Sequence, residues 1–171
     1  MTACKQAEQT VRRSRMDVSD VSSIDSIIAA AYDVISGPAG RKRDWKRERA
    51  LFAPGARLMP MALAAGTAES GKPAPQVLDV EGFIARVEPL FAREGFYEAE
   101  IARVTEQFGH IAHVWSTYES RHAPDDPQPF VRGINSFQLF HDGDRWWILS
   151  VFWQNESTEQ PLPSRYTTSP G

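Results

Sequence analysis

The chain has 171 residues, enough for a single domain with a sizeable core, and its hydrophobic and charged fractions are those of an ordinary globular protein. A net charge of −3 argues against nucleic-acid binding over the whole surface. Cys4 is the only cysteine, which excludes an intrachain disulfide or a thiolate metal cluster within one chain and makes a reducing, cytoplasmic setting the expectation.

Residues 1–20 read as a polar, flexible leader. Arg12, Arg13 and Arg15 are followed by no apolar run, so neither a secretory nor a twin-arginine signal is complete, and Met16 is a plausible true start. No window reaches the roughly 18 apolar residues of a membrane span, so no membrane partner is expected. From Ser22 the pattern turns helical: Ile24, Ile27, Ile28, Ala31 and Ile35 fall on one face, Ser22 with Asp25 is the expected cap, and Gly37-Pro38 ends the run. A short helix capped by Asp44 follows, anchored by Trp45, Leu51 and Phe52 and stopped by Pro54-Gly55. Ala56 to Met61 reads as a short strand, and residues 62–77 as a loop or ragged hairpin, with a role as a lid left open.

Asp79 starts a third helix with Val80, Phe83, Ile84, Val87 and Phe91 on one face, which Pro89 should end or kink. Tyr97 to Phe108 and Ile111 to Arg121 are two long strands meeting at Gly109-His110. After a loop at 122–129, two aromatic-rich runs between Val131 and Gln154 are joined through His141-Asp142-Gly143-Asp144, a hairpin signal because Asp-Gly tolerates the positive φ of a tight turn. Neither face of that hairpin is polar throughout, so both need cover. Residues 157–171 read as a flexible tail that buries little. The order predicts an α+β domain over 21–156: a curved antiparallel sheet of four long strands plus a short one, wrapped around three N-terminal helices. A sheet wrapped in this way leaves a cone whose open end suits a small molecule.

This layout resembles the nuclear transport factor 2-like superfamily, a cystatin-like α+β barrel that includes ketosteroid isomerases, scytalone dehydratase and SnoaL-type polyketide cyclases. The resemblance is carried by Ala50-Leu51-Phe52-Ala53-Pro54-Gly55-Ala56, Gly109 to Val114, Gly133-Ile134-Asn135, and Asp142-Gly143 with Trp146 and Ile148. It implies that Tyr32 and Asn135 stand where ketosteroid isomerases keep their two oxyanion donors. The family's aspartate base has no counterpart in Leu58-Met59-Pro60, which argues against a steroid isomerase. It further implies that His113, Trp115, Thr117 and Glu119 face the pocket, as do Trp147, Leu149, Val151 and Trp153, whereas Trp146, Ile148 and Phe152 lie outside on a face that pairs two subunits. A homodimer is the resulting expectation.

His113, Tyr32 and Asn135 are thus the candidate catalytic residues, with His113 as base and the other two as electrophilic donors, in a cofactor-free isomerase, dehydratase or cyclase acting on a small apolar or aromatic molecule. Trp115, Thr117, Glu119, Trp147, Leu149 and Trp153 are the candidate pocket residues. The competing readings are a non-catalytic binding module and an interaction protein that docks a partner on the aromatic sheet face or the basic stretch Arg41–Arg49. That stretch reads first as a solvated helix face, and no nucleic-acid partner is expected. His110 and His113, three apart on strands, point to opposite faces and cannot share a metal ion. No G-x-S-x-G, Walker loop or G-x-G-x-x-G is present.

Overall fold

The computed structural model describes residues 18–62 and 72–168. The expected leader up to Asp17, the Met16 start, residues 63–71 of the expected loop and the last three residues of the tail lie outside the described residues. A 3-10 turn at Val18–Val21 precedes α1 (Ile24–Ile35) and α2 (Trp45–Leu51), which runs directly into β1 (Phe52–Ala62). The two-residue β2 (Ala74–Pro75), α3 (Val80–Arg93), β3 (Tyr97–Phe108), β4 (Ile111–Arg121), β5 (Val131–His141) and β6 (Trp146–Asn155) follow, then a 3-10 turn at Ser164–Tyr166. The sheet order is β2-β1-β6-β5-β4-β3. The sheet curves but does not close into a barrel, and β2 and β3 are its edges.

The helical stripes arise as the spacing predicts. Ile27 and Ile28 are fully buried on α1, and Phe83, Ile84 and Phe91 are buried on α3. The cap of α1 is Ser23 rather than Ser22: the Ser23 hydroxyl accepts from the Ser26 N–H and the Ser26 side chain accepts from the Ser23 N–H, a reciprocal pair that Ser22 and Asp25 do not make. Helix α3 runs four residues past Pro89 instead of ending there. Pro89 and Ala85 are both exposed, so the carbonyl that loses its partner faces water, which lowers the cost of an internal proline.

Two departures concern the sheet. β1 spans 11 residues, longer than the Ala56–Met61 expected, and pairs with β6 in parallel, so the sheet is not wholly antiparallel. The helix ends at Leu51, before Pro54-Gly55, and the pair instead lies inside the irregular first part of β1, with Gly55 at φ 81. The second departure decides where side chains point. Leu149 is an unopposed residue in β6, because Leu139 pairs with Ile148 and Gln138 with Ser150. Ile101 is likewise unopposed in β3. An extra residue reverses the alternation, so inward positions on β6 are Trp146 and Ile148 before the bulge and Val151 and Trp153 after it.

The tail is not idle. Gln160 and Ser157 exchange backbone hydrogen bonds, and Tyr166 lies against Trp115, with ring centroids 5.7 Å apart, on the outer sheet face. At the chain's other end Asp20 accepts twice from the Arg47 guanidinium.

Gly133 pairs with Tyr118 across β4 and β5, and a Cβ there would stand 2.4 Å from the Gln154 carbonyl oxygen and 2.4 Å from the Tyr118 hydroxyl. Gly133→Ala is therefore expected to destabilise the fold by about 1–3 kcal/mol, because a backbone oxygen cannot step aside as a side chain can. Urea unfolding of the variant beside wild type checks this, and an unchanged midpoint would contradict the close approach.

Candidate functional site

A cavity of about 260 Å³ lies between the inner face of the sheet and the three helices. Its walls are mostly apolar and aromatic: Phe52, Phe83, Phe91, Phe96, Phe130, Phe137 and Trp153, with Leu58, Val87 and Val151 between them. Phe91 stacks on Phe96 at 4.9 Å, and Phe83 meets Trp153 edge-on at 6.2 Å. The polar atoms in the lining come from Tyr32, Glu48, Glu98, Tyr118, Ser120, Asn135 and Asn155. At this size the cavity falls just under the ~300 Å³ at which typical ligand sites begin, so its occupant is small.

Tyr32 and Asn135 are brought together as expected. The Asn135 amide donates to the Tyr32 hydroxyl at 3.0 Å, although the two are 103 residues apart in sequence. Tyr32 in turn is 2.7 Å from Ser116 Oγ, and Ser116 donates to Glu100, which the Arg103 guanidinium grips at 2.8 and 2.6 Å. The ion pair with Arg103 keeps Glu100 an acceptor, and this fixes the direction of the row. Ser116 gives its proton to Glu100, so Tyr32 gives its own to Ser116. Burial, with the negative charge of Glu98 nearby, pushes the Tyr32 hydroxyl far above the ordinary tyrosine range, so it stays protonated.

His113 does not belong to this site. The inward residues of β4 are Ala112, Val114, Ser116, Tyr118 and Ser120, all buried. His113, Trp115, Thr117 and Glu119 project from the opposite face, where His113 Nε2 meets Ser136 at 3.0 Å and Glu119 pairs with Arg121. The expectation failed because the small hydroxyl residues, which composition places outside, satisfy the buried polar row, while the large Trp115 is covered by Tyr166. Trp115 Nε1 and Thr117 Oγ1 are buried there without partners. On β6 the bulge divides the expectation: Val151 and Trp153 line the cavity, whereas Leu149 is exposed and Trp147 donates to the hairpin residue Asp142. Trp146 and Ile148, expected outside, are core.

Two carboxyls that the sequence reading passed over are strongly perturbed in the cavity. Glu98, at the start of β3, is half-buried in the cavity wall; desolvation raises it from an ordinary 4.5 to about 7, opposed by the Ser120 hydroxyl, which donates at 2.9 Å, and by Asn135. Glu48 on α2 is raised by burial to about 8, opposed only weakly by Arg47, and its Oε2 is buried without a hydrogen-bond partner. A signal for Glu48 existed: Trp45, Glu48, Leu51 and Phe52 share one helical face, so the glutamate sits on an apolar stripe. Glu98 gave none, since Glu98, Glu100 and Glu106 alternate in the sequence as the residues of a solvated strand face do.

Three of the six cations in the basic stretch are engaged within the chain. Arg43 is buried and donates to the carbonyls of Ile35, Gly37, Pro38 and Arg41, fastening the α1–α2 connection. Arg47 pairs with Asp20 and Asp33, and Arg49 with Glu81. Among the described residues no group of three or more His, Cys, Asp or Glu side chains is arranged to hold a metal ion, and no helix is long and apolar enough to cross a membrane.

A carboxyl whose pKa is raised on folding binds its proton more tightly in the native state, so its contribution is fully present below pH 4.5 and is lost as pH rises through the folded value. Stability should therefore fall between about pH 5 and about pH 8.5, through the windows of Glu98 and Glu48. The double variant Glu48→Gln, Glu98→Gln should flatten that slope in urea unfolding; an unaltered slope would mean that neither carboxyl is desolvated.

No protein-family model and no curated protein matches this sequence. Solved structures do match its fold. A protein of unknown function with a cystatin-like fold from Nostoc punctiforme superposes with a TM-score of 0.58 at 10% identity, over 79% of this chain and 90% of that one. A nuclear transport factor 2-like protein from Pseudomonas putida gives 0.57 at 13%, over 86% and 94%. A candidate ketosteroid isomerase from Parabacteroides distasonis gives 0.54 at 9%, over 82% and 98%. The chain has the nuclear transport factor 2-like, cystatin-like fold.

Proposed function

We propose that the cavity binds a small, largely apolar molecule and that Glu98 moves a proton on it without a cofactor, in a step of the isomerisation, dehydration or cyclisation type. The observation that carries this reading is the Glu98 carboxyl itself. It lines an apolar cavity, is oriented by Ser120, and is raised to about 7, where it exists in both protonation states at neutral pH. It takes the role that the resemblance gave to His113. The candidate ketosteroid isomerase among the structural neighbours is compatible with such chemistry, but a shared fold does not transfer an activity.

One observation favours a second reading, a binding module without turnover. The Tyr32 proton is directed at Ser116, and Asn135 is engaged by Tyr32, so these donors are satisfied within the protein. Stabilising an oxyanion would require Tyr32 to release Ser116, which is poorer preorganisation than a free donor provides. Deuterium exchange separates the two readings. Small aryl ketones incubated with the protein in D2O should gain deuterium at the carbon next to the carbonyl, and Glu98→Gln should slow this about 100-fold or more. Exchange that persists undiminished in Glu98→Gln would remove it as the base, and binding without exchange across the panel would favour the module.

We also propose a homodimer through the outer sheet face, where Val104, Ile111 and Phe152 are exposed beside the Tyr166–Trp115 contact. Native mass spectrometry should find twice the chain mass, and Val104→Glu with Phe152→Glu should give the single mass with unchanged circular dichroism. A wild-type monomer would end this proposal.

A further inference from the structure

We propose that Glu48 is the recognition point for a positively charged group, so that the cavity takes a small aromatic amine in its protonated form in preference to a neutral molecule of the same shape. This rests on the reading of the cavity as a small-molecule site and adds the charge of the ligand.

Glu48 lies on the inner face of α2 among the residues that line the cavity; it is only 2% exposed, and its Oε2 is buried without a hydrogen-bond partner. Buried carboxylate oxygens are ordinarily paired, because an unpaired one forfeits its hydration without replacement. The lining offers no remedy: its other ionisable carboxyl is Glu98, and among the described residues no Lys, Arg or His contributes to it. The cations next to Glu48 in sequence are turned elsewhere, Arg47 to Asp20 and Asp33 and Arg49 to Glu81.

Without a cation, the enclosed carboxyl keeps its own proton up to about pH 8. An ammonium group would take the place of that proton. It carries three N–H donors and a charge opposite to the carboxylate, whereas a carbonyl or ether ligand would set another acceptor against the unpartnered oxygen. The rest of the lining suits the same ligand, since the aromatic rings of Phe83 and Trp153 attract a cation as well as burying an aromatic ring. An anionic ligand would meet two carboxyls in a low-dielectric space and is disfavoured on the same grounds. With Glu48 holding the charged group, Glu98 remains free for the proton transfer proposed above.

The test compares 2-phenylethylamine with its neutral isostere 2-phenylethanol by titration calorimetry at neutral pH, on wild type, Glu48→Gln and Glu98→Gln. The expected result is an amine bound about tenfold more tightly than the alcohol by wild type and by Glu98→Gln, with the preference lost in Glu48→Gln. Equal binding, or tighter binding of the alcohol, in wild type would overturn the inference while leaving the cavity reading in place. A preference lost in Glu98→Gln but kept in Glu48→Gln would overturn the assignment to Glu48. Binding of neither probe up to millimolar concentration would overturn both the inference and the cavity reading. Circular dichroism verifies the fold of each variant; if Glu48→Gln fails to fold, the wild-type ratio of amine to alcohol affinity decides.

Discussion

Tyr32 fastens the first helix to the middle of the sheet, and the shape of the cavity follows from that attachment. From α1 its hydroxyl reaches Ser116 on β4; Ser116 reaches Glu100 on β3; and Arg103, gripping Glu100, returns to Asp25 on α1. The bonds form a circuit that begins and ends on one helix, closed by a charged pair that fixes the direction of each donor. Asn135 joins it from β5. Helix packing by apolar contact alone would tolerate small rotations, but this circuit resists them, because Tyr32, Ser116 and Asn135 are buried and a turn of the helix would take the Tyr32 hydroxyl from both its partners. The two residues that resemble an oxyanion site are thus also the bolts of the fold, which explains why their protons point into the protein.

The carboxyls of the cavity have the opposite character. Glu100 is paired and structural, while Glu98 and Glu48 stand in an apolar wall without a cation and carry raised pKa values as a result. Three glutamates close to one helix–sheet interface differ in role because of what surrounds each. An Arg on the same strand makes one an anchor. A hydroxyl and an amide leave the second near neutrality, and the absence of any donor leaves the third protonated. Keeping two such groups lowers stability wherever they must ionise, and sites of binding or proton transfer are where proteins commonly retain such a cost.

Most of the architecture was legible in the sequence. The long strands Tyr97–Phe108 and Ile111–Arg121 were bounded to the residue by Gly109, and the α1 and α3 stripes by their 3.6-residue spacing. Of the candidate site, Tyr32, Asn135 and Trp153 were placed in the cavity through the resemblance, and His113, Trp115, Thr117, Glu119, Trp147 and Leu149 were not borne out as lining. Period two states which residues share a face, but not which face meets the helices, and β4 carries large and small residues in a pattern that permits either answer. The bulge at Leu149 reverses the alternation halfway along β6, and nothing in Ile-Leu-Ser-Val announces it.

The sequence by itself determined element order, strand ends, helix stripes and the α+β class, since these depend on near neighbours: spacing, caps and turn residues within a few positions. The tertiary structure decided the parallel β1–β6 pairing, the inward face of β4, the cover that Tyr166 gives Trp115, and a cavity lining that, among the described residues, sets no Lys, Arg or His beside Glu48 and Glu98. A carboxyl's pKa, and with it the chemistry proposed here, is set by what other segments bring within a few ångströms, and those segments are distant in the chain.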